Sequence, residues 1–308
     1  MKTPLRIGTR DSQLAVWQAT LVKNELEKHN VSSELHFIKS EGDINLVTPL
    51  YEIGVQGIFT KTLDAALLNK RIDIAVHSMK DVPTQLAKGI VQTAVLPRAN
   101  HKDIFVYKDD CSFLEDPQSI ATIATSSVRR IAQWLYKYPA HTIENLRGNV
   151  NTRLQKVASN NWQGAIFAAA GLERIQLRPR NSIDLDWMLP APAQGAIMVV
   201  CREEDNEAKQ KCAPLHHHIT AICTNAERDF LRSLGGGCST PVGALAEIIG
   251  DKIYFKGNIF SMDGSRKKEI EKRTFLYSDG GDIGIMAAKE IMDEEGVSMI
   301  ENFRNATR

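Results

Sequence analysis

The apolar positions of the N-terminal region alternate between strand-like runs and helical spacing. Leu5-Arg6-Ile7 predicts a short strand, and a helix is predicted after it, with Asp11 or Ser12 as its N-cap. The same pattern then predicts a strand at 34–38, a helix at 59–69 and a buried strand at 72–76. Strands that alternate with helices indicate an α/β domain with a largely parallel sheet.

This rhythm of strands and helices recurs in the middle of the chain. Segment 123–127 ends a strand and opens a helix, as 7–12 does. The predicted helix 150–158 then precedes the strand 165–168, as 59–69 precedes 72–76. We therefore expect two lobes of similar topology.

The C-terminal region has a different pattern. The polar segment 203–211 separates it from the two lobes, and a helix is predicted over 220–234, ending at three glycines. Alternating apolar residues at 242–249 and 252–259 predict a small antiparallel sheet, with 282–294 as a covering helix. The chain is thus expected to end in a third domain of the α+β class.

Composition sets limits on the class of protein. With 308 residues, of which 43% are hydrophobic and 24% charged, the chain has the make-up of a soluble globular protein with two or three domains. Its net charge of +1 gives no global field that would attract nucleic acid or a membrane surface. Residues 1–10 lack the apolar core of a signal peptide, and no apolar run is long enough to span a bilayer. We therefore expect a cytoplasmic protein.

The cysteines point to one special thiol. There are five of them, and no pair has CxxC spacing, so neither a disulfide framework nor a zinc site is expected. Cys238 stands out because it follows Gly235-Gly236-Gly237 and precedes a proline turn, a loop that can pass close to a bulky group and present the thiol outward. The alternative is a small buried apolar residue, the usual role of a lone cysteine.

Five arginines lie near predicted helix N-termini: Arg10, Arg129, Arg130, Arg147 and Arg153. Helix N-termini offer unpaired N–H groups and a partial positive charge, and the guanidinium fork matches a carboxylate or phosphate. The dipole disfavours arginine at this end of a helix, so we infer a polyanion that outweighs the repulsion. Surface arginines paired with nearby acidic residues are the alternative.

Two further polar segments carry candidate chemistry. Segment 73–84 runs from a buried strand into a polar loop, where open α/β sheets bind ligands, and Lys80 could hold an anion there while Asp81 faces developing positive charge. An incidental ion pair in a solvated loop fits equally well. His216-His217-His218 favours a structural or surface role over a metal site, because consecutive histidines point in different directions and no Cys or carboxylate nearby has suitable ligand spacing.

Seven short motifs, in a characteristic order, resemble those of the hydroxymethylbilane synthase (porphobilinogen deaminase) family. They are Gly8-Thr9-Arg10-x-Ser12-x-Leu14-Ala15, Gly57-Ile58-Phe59-x-Lys61, the segment 73–83, Thr125-Ser126-Ser127-Val128-Arg129-Arg130, Leu146-Arg147-Gly148-Asn149-Val150-x-Thr152-Arg153-Leu154, Gln194-Gly195-Ala196 and Gly235-Gly236-Gly237-Cys238. Each motif is short, but the set is specific. The last sixty or so residues carry little of the resemblance.

The resemblance implies two lobes similar to periplasmic binding proteins, with a cleft between them, and a small C-terminal α+β domain. The first lobe would comprise 1–98 with 194–214, the second 99–193, and the C-terminal domain 215–308. It implies a transferase of haem biosynthesis that condenses four porphobilinogen molecules into hydroxymethylbilane on a dipyrromethane primer held by Cys238. No metal, nucleotide, nucleic acid or membrane is implied, and a monomer is expected.

The resemblance also assigns roles to residues. Asp81 is the implied catalytic residue, which stabilises the cation left when porphobilinogen loses ammonia. The residues implied to bind the cofactor are Cys238, Arg129, Arg130, Ser126, Lys80, Arg153, Ser127 and Thr125. The residues implied to bind substrate are Arg10, Ser12, Arg147, Gln194 and Phe59.

The chain departs from the family pattern at two positions. Gln56 stands where many members have lysine, which puts the carboxylate-binding role of that loop in doubt, and Asn151 replaces a frequent glycine, which we expect to be tolerated. Two other kinds of protein remain possible from the residues alone. A two-lobed anion-binding protein would lack the adduct on Cys238, and a cysteine-nucleophile enzyme such as an acyltransferase would need a histidine base beside that thiol.

Overall fold

The structure, a computed structural model, describes residues 3–39, 60–116, 118–237, 240–276 and 280–306, and of 302–306 only the backbone. The strands within these residues are β1 (Leu5–Thr9), β2 (Ser33–Phe37), β3 (Ile74–Ser78), β4 (Ile90–Val95), β5 (Asp103–Tyr107), β6 (Thr122–Ala124), β7 (Thr142–Glu144), β8 (Gly164–Ala168), β9 (Ser182–Asp184), β10 (Ile197–Arg202), β11 (Val242–Ile249), β12 (Lys252–Phe260) and β13 (Lys267–Phe275). The α-helices are α1 (Gln13–Lys28), α2 (Lys61–Leu68), α3 (Val128–Lys137), α4 (Val150–Ser159), α5 (Ala169–Glu173), α6 (Asn206–Cys212), α7 (His218–Ser233), α8 (Ile283–Ile291) and α9 (Glu294–Ala306).

The first lobe is built on a five-stranded sheet in the order β2-β1-β3-β10-β4. Strand β1 pairs in parallel with β2 and β3, whereas β10 is antiparallel to both β3 and β4. Four strands therefore run one way and one runs against them, which confirms the prediction of a largely parallel sheet. Because β10 comes from a distant part of the chain, local sequence pattern alone could not place it.

The second lobe repeats this topology. Its sheet has the order β7-β6-β8-β5-β9, with β6 parallel to β7 and β8, and β5 antiparallel to β8 and β9. Strands β6, β7, β8, β5 and β9 thus correspond in turn to β1, β2, β3, β10 and β4. The expectation of two lobes with similar topology is confirmed.

Both faces of the first sheet are covered, as a mostly parallel sheet requires. Helix α1 buries Val22 and Leu26 against the face that carries Ile7 and Val76. Helix α2 packs against the opposite face. The polar segment 203–211, interpreted above as a separator, contains part of α6, whose buried Cys212 belongs to the first of these two cores. That segment is therefore a helix of the first lobe and not a linker.

The C-terminal region contains the antiparallel sheet β11-β12-β13, packed against α7 and α8 around the buried rings of Phe230 and Phe255. The predicted α+β class is confirmed. Sequence analysis missed β13 and α9. In strand β13 only Ile270 is buried, and the strand is otherwise rich in charged residues, so it lacks the apolar alternation by which strands are recognised.

Predicted boundaries were wrong by one or two residues at several ends. Strand β3 extends to Ser78, two residues past the predicted end, because Ser78 still pairs with Ile197 on β10. Phe59, the predicted start of the second helix, lies outside the described residues. None of the helices in the described part of the chain is both long and apolar enough to cross a membrane.

Candidate functional site

Two polar segments of the first lobe follow the C-terminal ends of β1 and β3, which are parallel neighbours, so both segments begin at the same edge of the sheet. Arg10 follows β1, and His77 lies near the end of β3. The register pairs Gly8 with Ala75, so its continuation places Arg10 beside His77. Ser12 caps α1 by accepting a hydrogen bond from the Ala15 amide at 3.4 Å, so its hydroxyl proton remains available to a ligand.

His77 is a buried imidazole in this corner. It is 7% exposed, and its Nε2 atom has no hydrogen-bond partner among the residues that the structure describes. Burial, and then the nearby positive charge of Arg10, lower the pKa of His77 to about 4. The imidazole is therefore neutral at physiological pH.

A 3₁₀ turn over Met79–Asp81 follows β3 directly and carries both residues of the predicted Lys80–Asp81 pair. Lys80 Nζ donates to the side-chain oxygen of Gln194 at 3.1 Å, and Asp81 is exposed. Burial lowers the pKa of Lys80 to about 8, with repulsion from Arg130 in the same direction and attraction to Asp81 opposing it. Lys80 is thus a cation held in an environment that disfavours its charge.

The buried carboxylate of Asp103, at the start of β5, holds both arginines of the second-lobe motif. Arg130 donates to Asp103 Oδ1 from Nε at 3.1 Å and from Nη2 at 2.7 Å, and Arg129 Nη1 lies 2.7 Å from Asp103 Oδ2. Arg129 also donates to the Leu189 carbonyl, and Arg130 to that of Ile166. Burial opposes ionisation of Asp103, but Arg129 and Arg130 outweigh it and hold the pKa of Asp103 below its usual range.

Gln194 connects these two groups. Its side-chain amide donates to Asp103 Oδ1 at 2.9 Å and to the His101 carbonyl at 2.8 Å, while its oxygen accepts from Lys80. The residue is fully buried. Gln194 therefore links the Lys80 turn of the first lobe to Asp103 of the second.

Arg147 and Arg153 flank the start of α4. Asn149 caps this helix by accepting a hydrogen bond from the Thr152 amide at 3.0 Å, and Arg153 Nε donates to the Gly148 carbonyl at 2.8 Å. Gly148 has φ = 113°, a conformation that favours glycine. Burial, and then repulsion from Arg130 and Arg147, lower the pKa of Arg153 to about 10, and burial also lowers the pKa of Arg147.

The three hydroxyl residues before α3 are engaged within the protein. Ser126 Oγ accepts from the Leu146 amide at 2.9 Å and lies 2.8 Å from the Leu146 carbonyl, which joins the N-terminus of α3 to the Arg147 segment. Thr125 Oγ1 accepts from the Ser127 amide at 3.3 Å. The half-buried Ser127 is the N-cap residue of α3, but its side chain makes no capping hydrogen bond.

These side chains form a cluster with surplus positive charge, named here the cation cluster: Arg10, Lys80, Arg129, Arg130, Arg147 and Arg153. Besides burial, Arg130 and Arg129 lower the pKa of Lys80, and Arg130, Arg147 and Arg10 lower that of Arg153, which ties the members of the cluster together. Asp81 raises the pKa of both residues, and Asp103, which is already paired with Arg129 and Arg130, raises that of Lys80. The positive charges of the cluster thus outnumber these two carboxylates. Such an imbalance favours an anionic ligand with several charges.

At two of the three positions before Cys238, the local structure itself explains why the residue is glycine. Gly235 has φ = 65° and ends α7, with its amide bonded to the Arg232 carbonyl and the Gly236 amide to that of Leu231. A Cβ atom at Gly236 would lie 2.7 Å from a methyl carbon of Leu231. The helix therefore ends in a tight turn just before the cysteine. Cys238 itself, like Phe59 and Gln56, lies outside the described residues.

Comparison with known proteins decides which kind of anion site this is. The model of the porphobilinogen deaminase dipyrromethane cofactor binding domain matches residues 5–210, and that of the porphobilinogen deaminase C-terminal domain matches 221–293. The porphobilinogen deaminase of Desulforamulus reducens is 39% identical over 99% of both chains, and that of Syntrophotalea carbinolica is 43% identical over 84% of both. The chain belongs to the porphobilinogen deaminase family. The predictions of family, transferase activity and dipyrromethane cofactor are thereby confirmed.

Solved structures give a weaker likeness. A periplasmic substrate-binding protein of an ABC transporter from Coxiella burnetii is 13% identical, over 73% of this chain and 96% of that one, with a TM-score of 0.42.

The donor set fits the cofactor of the porphobilinogen deaminase family. Dipyrromethane derives from two porphobilinogen units, each with an acetate and a propionate, so it is a polycarboxylate. The cation cluster supplies guanidinium forks for such groups, and the buried Nε–H of Arg129 has no hydrogen-bond partner in the described structure. Arg129, Arg130, Lys80 and Arg153 are the residues that would hold it.

Asp103 is a site residue that sequence analysis missed. It lies 27 positions before Arg130 in the chain and so is not among the acidic residues adjacent to the arginine motifs. A signal was present, because a charged residue opens the buried apolar run Ile104-Phe105-Val106. A carboxylate at the start of a fully buried strand requires a partner.

The histidine triplet has structural contacts. His216 Nδ1 accepts a hydrogen bond from the Val95 amide at 3.3 Å, and His217 Nδ1 caps α7 by accepting from the Thr220 amide at 3.2 Å. Both histidines thus contribute to the local structure. Asn151 donates to the Gln13 side chain at 2.9 Å, so the residue that replaces the frequent glycine forms a contact between the two lobes.

Proposed function

We propose that this chain is a hydroxymethylbilane synthase that joins four porphobilinogen molecules on a dipyrromethane attached to Cys238. The observation that carries the proposal is the cation cluster, which draws on both lobes, in a chain that matches the porphobilinogen deaminase domain models over residues 5–210 and 221–293. The bound dipyrromethane supplies the pyrrole carbon to which the first substrate is joined.

The proposed division of work separates the carboxylate-binding residues into two groups. Arg129, Arg130, Lys80 and Arg153 hold the cofactor, and Arg10, Ser12 and Arg147 bind the acetate and propionate of the incoming substrate. Arg129, Arg130 and Arg147 are buried, which strengthens their contacts, since a charge-assisted hydrogen bond in a low dielectric is stronger than one in water. Phe59 is proposed to pack against the substrate rings.

Asp81 is proposed to act on the reacting atoms. Loss of ammonia from porphobilinogen leaves a positive charge that is shared with the pyrrole nitrogen. A carboxylate that accepts a hydrogen bond from the pyrrole N–H stabilises that charge as it develops. The position of Asp81, exposed on the turn that also carries Lys80, suits this role.

Some of the residues that the resemblance assigns to cofactor or substrate binding are proposed to act by holding other site residues in place. Gln194 has its amide bonded to Lys80, Asp103 and the His101 carbonyl, so it orients Lys80. Ser126 ties the Arg147 segment to α3. Thr125 and Ser127 complete the same turn and retain hydroxyl protons that could reach a carboxylate.

The proposed domains are 1–98 with 194–214, 99–193, and 215–308, a division that keeps each sheet within one domain. A monomer is proposed. The four described cysteines are free thiols, the usual state in a reducing compartment, and the cytoplasm is the proposed location.

The decisive experiment combines intact mass with turnover. The purified protein should exceed its sequence mass by one dipyrromethane unit. Given porphobilinogen, it should release ammonia and form a linear tetrapyrrole that cyclises to uroporphyrinogen I. A protein with its sequence mass alone that binds but never consumes porphobilinogen would be a binding protein, and the proposal would be wrong.

A further inference from the structure

Arg228 reaches from the C-terminal domain to the backbone of the Lys80–Asp81 turn. It lies on α7 and is 8% exposed. Its Nη1 atom donates to the carbonyls of Met79 at 3.3 Å and Val82 at 2.9 Å, and its Nη2 atom donates to that of Pro83 at 2.7 Å. One guanidinium thus binds carbonyls on both sides of Asp81.

The turn depends on these contacts because it is short. A single 3₁₀ turn has few internal hydrogen bonds, and here Val82 N donates to the Met79 carbonyl at 3.2 Å. On its other side the turn is held by the Met79 amide, which donates to the Ala196 carbonyl at 3.0 Å. Arg228 is therefore a main external support of the backbone on both sides of Asp81.

The neighbouring residue, Glu227, fixes the helix from which Arg228 extends. Its fully buried carboxylate accepts hydrogen bonds from Arg98 at 2.5 and 3.1 Å, from the Ala193 amide at 2.6 Å and from the Ala246 amide at 2.8 Å. Arg98 and Ala193 lie on the two segments that join the lobes. Helix α7 is thus anchored to the crossing between the lobes at Glu227 and to the turn at Arg228.

We propose that Arg228 is a positioning residue that sets the place of the Asp81 carboxylate, and so couples the domain that carries Cys238 to the reacting atoms. The guanidinium suits this task because its fixed fork binds several carbonyls at once, which an ammonium group does not do. The inference rests on the proposed role of Asp81. Arg228 itself does not touch the substrate.

The test compares Arg228→Gln and Arg228→Lys with Arg232→Gln as the matched control. Arg232 lies one turn further along α7, is exposed and pairs with Asp229. In cofactor-loaded protein with a normal circular dichroism spectrum, Arg228→Gln should lower kcat about ten- to a hundredfold, as expected for loss of charged hydrogen bonds, with KM for porphobilinogen changed much less. Arg228→Lys should fall between wild type and Arg228→Gln, and Arg232→Gln should match wild type.

A double-mutant cycle separates positioning from general damage to the fold. If Arg228 acts through Asp81, the substitution Arg228→Gln should cost little further rate in an Asp81→Asn background. Losses that multiply, or an Arg228→Gln enzyme with wild-type kcat, would overturn the inference. If Asp81→Asn is slow but Arg228→Gln turns over normally, only the role of Arg228 is refuted. Normal turnover in Asp81→Asn refutes the proposed role of Asp81, and the inference with it.

Discussion

Arg130 Nη2 lies 2.7 Å from Asp103 Oδ1, and both side chains are buried. Asp103 also pairs with Arg129, so one carboxylate lies between two guanidinium groups. This arrangement neutralises part of the cation cluster and leaves the rest for a ligand. A fully neutralised site would have no charge left to bind the carboxylates of the substrate, and an unneutralised one would be costly to bury.

Replacement of Asp103 by asparagine should destabilise the protein. The change keeps the shape but leaves Arg129 and Arg130 buried without their counter-charge, and breaking a buried pair in this way costs about 3–5 kcal/mol. Urea unfolding of cofactor-free protein measures the loss. The matched control is Asp186→Asn, since Asp186 is 74% exposed in its pair with Lys102 and should contribute about 0–1 kcal/mol. Equal effects from the two variants would contradict the prediction.

Part of each lobe could be predicted because hydrophobic patterning is a local signal. Helix α1 has apolar residues at helical spacing and strand β8 is a continuous apolar run, so both could be recognised without their neighbours. Strands β4, β5, β7, β9 and β10 were not predicted. Sheet membership is not local in this sense. Strand β10 inserts between β3 and β4 more than a hundred residues after them, and no pattern within β10 names those partners.

The residues of the site that could be predicted are those that belong to recognisable sequence motifs. Arg10, Lys80 and Arg153 were singled out by type and position, and the structure places them in one electrostatic neighbourhood. The supporting residues Asp103 and Arg228 were missed, because each acts through a partner that lies far away in the chain. Such pairings depend on tertiary structure, which a single sequence does not report.

The tether should be specific to Cys238. The thiols of Cys201, Cys212 and Cys223 are buried, and burial raises the pKa of each, to about 12 for Cys212 and about 11 for Cys223. A buried thiol with a raised pKa is a poor nucleophile. Cys238→Ser should therefore lack the adduct in an intact-mass measurement, whereas serine at Cys201, Cys212, Cys223 or Cys111 should retain it. An adduct that persists in Cys238→Ser would show that another atom carries the cofactor.

Arg153→Met should separate stability from function. Repulsion from Arg130 and Arg147 disfavours the charge of Arg153, so its removal should leave the stability of cofactor-free protein within about 1 kcal/mol of wild type. Loss of a charge-assisted hydrogen bond to a carboxylate should nevertheless lower cofactor loading or turnover about ten- to a hundredfold.

The control for Arg153 is Arg178→Met. Arg178 pairs with Glu173 and Asp184 at 2.7 and 2.5 Å, and it lies outside the cation cluster. Its loss should leave loading and turnover near wild type. If Arg153→Met loads and turns over normally, or if Arg178→Met is impaired as strongly, a specific polyanion site is not supported.

His77 should make the fold sensitive to mild acid. Because the folded-state pKa of His77 is about 4 and an unfolded histidine titrates near about 6.5, the unfolded state takes up a proton first as the pH falls. The contribution of His77 to the free energy of unfolding is thus fully present above about pH 6.5. It is lost as the pH falls towards about 4, and the loss is about 3 kcal/mol in all. Urea unfolding at pH 7, 6 and 5 should show a steeper decline for wild type than for His77→Gln. A His77 ring that titrates near pH 6.5 in NMR spectra of the folded protein would refute this prediction.

Asp81→Asn tests the residue assigned to the chemistry itself. Asparagine keeps the shape and an oxygen acceptor but removes the charge that would stabilise the cation left by loss of ammonia. Removal of one preorganised group of this kind costs about 2.7–4 kcal/mol, so turnover of cofactor-loaded protein should fall at least about 10². The fold should be unchanged by circular dichroism, because Asp81 is exposed. Asp81→Glu retains the charge, displaced by one methylene group, and should keep more activity than Asp81→Asn. The effect should fall on kcat more than on KM, since the charge develops only after substrate has bound. Near-normal turnover in Asp81→Asn would leave Asp81 without a catalytic role and would direct attention to Lys80, the other charged residue of the turn.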